Sequence, residues 1–104
     1  MQNAYLARGA EMRDWSDLEP AAHLDLHGQT VLEAVTNAER FLRAQRKARP
    51  GATVRLVTGR GRGGGGAPIR TRVRTLLGRM RDEGGVVRDY LLEETEGSFL
   101  VRLG

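Results

Sequence analysis

Two short runs hold the side chains best suited to chemistry. Leu24-Asp25-Leu26-His27-Gly28 sets a carboxylate two residues before an imidazole, and Thr58-Gly59-Arg60-Gly61 opens a glycine tract further along the chain. Alternate side chains of an extended segment share a side, so Asp25 and His27 stand together, opposite Leu24 and Leu26. A carboxylate beside an imidazole fixes its tautomer and raises its basicity, and an imidazole of ordinary pKa, ~6.5, exchanges protons at neutral pH. That is the minimum for general acid–base catalysis. The same residues have a plainer use: Asp25 caps the following helix or ties down the glycine turn, and His27 bonds to backbone.

His23 falls on the same side, giving an H-x-D-x-H row of metal-ligating types. Side chains at i and i+2 of a strand point in parallel without converging, so a metal there needs a ligand from another strand, such as Asp89. No metal ligand is assigned, and a divalent metal ion is the one cofactor left open.

The second run contains G-x-G-x-x-G at Gly59, Gly61 and Gly64. A dinucleotide cofactor fits poorly, because the chain has too few βαβ units and Arg60 and Arg62 invade the loop. No Gly-Lys-Ser/Thr follows, so it is not a Walker loop either. The remaining chemistry is anion binding. Thr58 leads into backbone N–H groups at Gly59 to Gly61 that can approach a phosphate, Arg60 and Arg62 supply charge, and a helix beginning near Pro68 turns its positive end toward the loop. Arg70, nearest that loop, offers a fork for two phosphate oxygens, with Arg74 one turn further on. The plainer alternative is a solvated flexible loop.

Charge distribution agrees with such a partner. From Arg40 to Arg81 there are 13 basic residues and no acid, while the remainder carries 4 basic and 13 acidic residues, a net of −9 within an overall +4. A block contrast of this kind marks a polyanion-binding surface, although 16 Arg against the single Lys47 also fits a base-composition bias. Phe41, Tyr90 and Phe99 are the aromatics of the core elements, too few for a platform that stacks several bases, so affinity should come from the phosphate backbone. With no cysteine there is no disulfide framework or thiolate chemistry. No apolar run approaches the ~18 residues of a membrane span, and the chain reads as soluble, cytoplasmic and without a membrane partner. Its oligomeric state is not legible.

The elements that must position these groups follow from periodicity and punctuation. Residues 1–20 are aperiodic and read as a partly ordered or flexible arm, with 21–104 as the single domain. Ala22 to Leu26 reads as a strand, and a helix follows with Thr30 and Glu33 at capping-box spacing and Val31, Ala34, Val35, Ala38, Phe41 and Leu42 on its apolar face. Pro50-Gly51 stops it. Thr53 to Val57 is a second strand. Pro68 suits the start of a second helix whose stripe is Ile69, Val73, Leu76, Leu77 and Met80, ending at Gly84-Gly85. Val86 to Leu92 and Phe99 to Leu103 close the chain as a hairpin.

The order βαβαββ predicts an α/β two-layer sandwich, a four-stranded mixed sheet with two helices. The first three strands run parallel and the last returns antiparallel. Both motifs then lie at the carboxyl ends of parallel strands, where ligands of open α/β sheets gather.

Leu-Asp-Leu-His-Gly opening a βα unit, Thr-Gly-Arg-Gly before a glycine-rich loop, Ile69-Arg70 starting the second helix and a closing hairpin together resemble the Smr, or small MutS-related, domain. The resemblance covers Ala22 to Leu103. It implies a fold similar to the C-terminal domain of translation initiation factor three, and binding or endonucleolytic cleavage of DNA or RNA. It also implies roles for Asp25 and His27 and for Thr58 to Gly61. The chain departs from the family pattern at Glu96-Gly97-Ser98-Phe99, where members usually carry a glycine-rich turn and a small-residue strand, and in the glycine excess of Gly63 to Gly66.

These readings predict an Smr-like endonuclease in which Asp25 and His27 are catalytic and Thr58, Gly59, Arg60, Gly61, Arg62, Arg70 and Arg74 hold phosphate. The alternatives are a module that binds structured RNA, the ribosome or a DNA junction without turnover, and a metal-assisted hydrolase using His23, Asp25 and His27.

Overall fold

The computed structural model describes Trp15 and residues 19–59 and 66–104. Its elements are β1 (Ala22–Asp25), α1 (Val31–Ala48), β2 (Thr53–Val57), α2 (Gly66–Glu83), β3 (Val87–Leu92) and β4 (Ser98–Leu103). The βαβαββ order is as expected, and the four strands form one sheet in the order β1-β2-β4-β3. β1 and β2 pair in parallel, and β4 runs antiparallel to both β2 and β3. The first three strands therefore share a direction, with β4 inserted between the second and third.

Side-chain pattern explains that insertion. β4 is buried along nearly its whole length, as a strand flanked on both edges must be, whereas β1 alternates half-buried and exposed positions and β3 exposes Arg88 and Asp89. Polar residues on the outer strands also discourage pairing with other chains.

The helices cover one face. Thr30 begins α1 with a reciprocal capping box: its hydroxyl accepts the Glu33 amide at 3.1 Å while the Glu33 carboxylate accepts the Thr30 amide at 3.0 Å. Ala34, Ala38 and Leu42 are buried, flanked by half-buried Val31, Val35 and Phe41. In α2 all of Ile69, Val73, Leu76, Leu77 and Met80 are buried against Leu26, Val54, Leu56, Phe99, Val101 and Leu103 of the sheet layer. Burying a side chain of this size contributes ~1.5–3 kcal/mol, so these positions dominate stability. α2 starts at Gly66, two residues before Pro68. The proline thus sits inside the first turn, where its missing N–H is harmless.

The opposite face of the sheet carries polar groups and a separate apolar contact. Trp15 is 6% exposed, and the Arg102 guanidinium from β4 lies over its ring, 4.9 Å from the centroid. Leu100, pointing away from the helices, is 3% exposed.

Candidate functional site

Parallel pairing puts Asp25 opposite Val57, so the two motifs leave the sheet side by side at its carboxyl edge. Beyond that edge, the Leu26 amide donates to the Val57 carbonyl at 2.7 Å, extending the pairing by one residue. Gly28, at φ 83°, then turns the chain toward α1, a conformation that glycine adopts without the Cβ clash other residues suffer. Asp25 ends β1 and His27 stands in the turn that follows; both are exposed, and Leu26 between them is fully buried.

The carboxylate of Asp25 has two uses here. Its Oδ1 accepts the backbone amide of His27 at 3.0 Å and stands 3.7 Å from His27 Nδ1. The first contact is a hydrogen bond that holds the turn. The second is too long to be one, and a small rotation of either side chain closes it. Gln29 adds support, its amide reaching the Asp25 carbonyl at 3.4 Å and accepting from Asn37 of α1 at 3.0 Å. His23 does not join a ligand set: among the described residues no three His, Asp or Glu side chains come together as a metal site.

Across the edge, Thr58 and Gly59 are stitched to the β3–β4 turn. Both amides donate to the carbonyl of Gly97, at 2.8 and 3.0 Å, and the Thr58 hydroxyl points toward the same oxygen at 3.4 Å. Thr58 is fully buried, and its amide and hydroxyl tie the loop to that turn. Gly59, at φ 86°, is a pivot whose amide is already engaged, which removes it from the cradle of N–H groups that its sequence suggests. Arg60, Gly61 and Arg62 lie outside the described residues.

Arg70 is half-buried and donates from Nη1 to the Glu96 carbonyl at 3.1 Å, tying the start of α2 to that turn. Arg74 is exposed one helical turn further on. The turn itself is fixed by a network that sequence reasoning missed. Arg55 clasps the Glu93 carboxylate with bonds of 2.8 and 3.1 Å, Ser98 also donates to it, and Glu96 takes a left-handed φ of 61°. Burial pushes the Glu93 carboxyl up, yet the hydrogen bonds from Arg55 and Ser98 and the charges of Arg55 and His23 outweigh it and hold the group below its ordinary range. The turn-prone Glu96-Gly97-Ser98 was visible in the sequence, but its partner was not, because that contact depends on β4 lying beside β2.

Folding also narrows the basic field. Arg43, Arg55, Arg79 and Arg81 pair with Glu39, Glu93, Glu39 with Glu83, and Asp89. Arg46 and Arg49 donate to the carbonyls of Gly85 and Ala21. Arg72 and Arg74, on the first half of α2, make no ion pair among the described residues, and neither do Arg40, Lys47 and Arg88.

A profile of the Smr domain matches residues 24–103, from the first motif to the last strand. The chain belongs to the Smr family. The crystal structure of the Smr domain of Thermus thermophilus MutS2 is similar at a TM-score of 0.66 and 26% identity, covering 81% of this chain and 99% of that one. No curated protein matches the chain. The Smr match runs through both motif-bearing strand ends and the hairpin turn bonded to the second. Among the described residues of this Smr domain, no helix is long and apolar enough to cross a membrane.

Proposed function

We propose that this Smr domain binds nucleic acid and cleaves its phosphodiester backbone. The observation that carries the reading is that exposed Asp25 and His27 and the Thr58-Gly59 strand end leave two neighbouring parallel strands at the same edge of the sheet. In this reading Arg70 and Arg74, with Arg60, Gly61 and Arg62 of the second motif, hold a phosphate at the amino-terminal end of α2. Thr58 and Gly59 shape the loop.

His27 works as the acid or base. A nucleophile, water or an RNA 2′-hydroxyl, gives up its proton as it attacks phosphorus; the bond to the leaving oxygen breaks, and that oxygen takes a proton. An imidazole oriented by Asp25 serves either transfer, a contribution of typically ~10²–10⁴-fold. Among the described residues His23, Asp25 and His27 do not converge on one point, so no ligand set is assigned for a divalent ion.

One observation favours a second reading, a binding module without turnover that docks on structured RNA, the ribosome or a DNA junction. Asp25 is hydrogen-bonded to the His27 backbone and not to its ring. Incubating the protein with labelled single-stranded RNA, single-stranded DNA, supercoiled duplex and branched DNA, with and without chelator, separates the two. Cleavage products from any of them support the nuclease; retention without products supports the binding module. Absence of both sinks the nucleic-acid reading.

A further inference from the structure

The helix layer carries a feature that phosphate binding does not use. Between the amino-terminal ends of α1 and α2 lies an open groove of about 510 Å³ lined by Val31, Ala67, Pro68, Thr71 and Arg72. Its size falls within the range of small-molecule sites, and its walls are aliphatic with two polar groups, the composition such sites favour. Leu32, the next residue along α1, is 73% exposed and is the exposed large hydrophobic among the described residues.

We propose that this groove receives one unpaired nucleobase of the strand whose phosphate is held beside His27, which makes single-stranded or locally unpaired nucleic acid the substrate class. The inference rests on the nucleic-acid reading above. Charge decides the occupant. Arg72 forms part of the wall, Arg74 follows on the same helix, and neither makes an ion pair among the described residues. Glu33, the acid closest in sequence, is occupied in the capping box. An apolar peptide or a second copy of this basic chain would bury those cations without compensation. A nucleotide brings an anionic backbone to the arginines and a flat, weakly polar base to the aliphatic walls.

Reach and chemistry agree. Val31 follows His27 by four residues, a span of at most ~14 Å, so a phosphate at His27 and a base at Val31 belong to the same or a neighbouring nucleotide. The Thr71 hydroxyl and the Arg72 guanidinium can bond to a base edge, and the guanidinium plane can stack on a ring. Bases inside a duplex are stacked and paired and cannot enter such a groove without being turned out. The scarcity of aromatics excludes a platform gripping several bases but leaves room for one.

The test compares three ligands carrying equal numbers of phosphates: oligothymidine, the same backbone built from abasic residues, and a blunt duplex. Affinities are measured by fluorescence anisotropy for the parent, Thr71→Val, which removes the hydroxyl offered to the base edge, and Ala67→Leu, which fills the groove. The parent should bind oligothymidine at least ten-fold tighter than the abasic strand or the duplex. Each variant should lose at least three-fold on oligothymidine and nothing on the abasic strand. Equal affinity for the abasic and base-bearing strands, or variants that bind as the parent does, overturns the proposal while leaving the nucleic-acid reading intact. Binding to none of the three overturns both. A parent dimer that Ala67→Leu converts to monomer in sedimentation would give the groove to a second copy, and overturns it too.

Discussion

The amide of Thr58 donates to the carbonyl of Gly97 at 2.8 Å, joining the end of β2 to the turn between β3 and β4. The second motif is therefore not a loop standing alone. It hangs on the closing hairpin, and Arg70 fastens α2 to the same turn through Glu96. Replacing Thr58 by Val keeps the shape and the two amide bonds but deletes a buried hydroxyl. Its bonds, at 3.3 and 3.4 Å, are long, so the loss should be ~0.5–1.5 kcal/mol in a urea titration. Because Thr58 is fully buried, affinity for an oligonucleotide should change less than about two-fold at temperatures where the protein stays folded.

Gly28 gives a cleaner backbone test. A Cβ added there meets nothing within 4 Å, so Gly28→Ala acts through its φ of 83° alone. The left-handed conformation should cost ~1–2 kcal/mol for alanine. Gly28→Asn should cost less, since asparagine tolerates that region, and thermal unfolding of the pair reads the difference. Equal costs would mean that the turn is held by something other than glycine's freedom.

Acid should loosen the hairpin turn. The Glu93 carboxyl is held below its ordinary range in the folded chain, where hydrogen bonds from Arg55 and Ser98 overcome the effect of burial. A depressed carboxyl contributes stability that is complete above its unfolded pKa, ~4.3, and is lost as pH falls through the lower folded value. Glu93→Gln should thus be less stable than the parent at pH 7, and the gap should close as the pH drops below ~4.3. Chemical denaturation at several pH values measures it; a constant gap would contradict the assignment.

Arg70 and Arg74 should part company. Both are placed against phosphate, but Arg70 also holds the turn. On a single strand, Arg74→Ala should reduce the log–log salt slope by ~0.7 with no change in melting temperature. Arg70→Ala should weaken binding and lower the melting temperature together. The full set of about four phosphate contacts gives a slope near ~−3 for the parent.

Periodicity exposed the elements because each is short and strongly patterned: the Ile69, Val73, Leu77 stripe and the Thr30-Glu33 box are local signals. Strand order is not local. Phe99 to Val101 reads as a central strand only when compared with the polar residues of β1 and β3, and from that order follow the Gly97 contacts and the fixing of Glu93 by Arg55. The arginine block misleads for the same reason. Its acid-free stretch is a property of sequence, whereas Glu39, Glu83, Asp89 and Glu93 reach it in space and pair with Arg43, Arg55, Arg79 and Arg81. The plainer role of Asp25, tying down the glycine turn, was legible, and the 3.0 Å bond from the His27 amide is that role.

The most direct measurement pairs cleavage with binding for His27→Ala on one substrate, the one the parent cuts best. His27 is exposed and donates only its backbone amide to Asp25, so the variant keeps the turn. Its Kd should lie within about three-fold of the parent's, while its single-turnover rate falls by at least tens of times, in keeping with the ~10²–10⁴-fold of a general acid or base. A variant that binds equally well and cuts at the parent's rate would contradict the account.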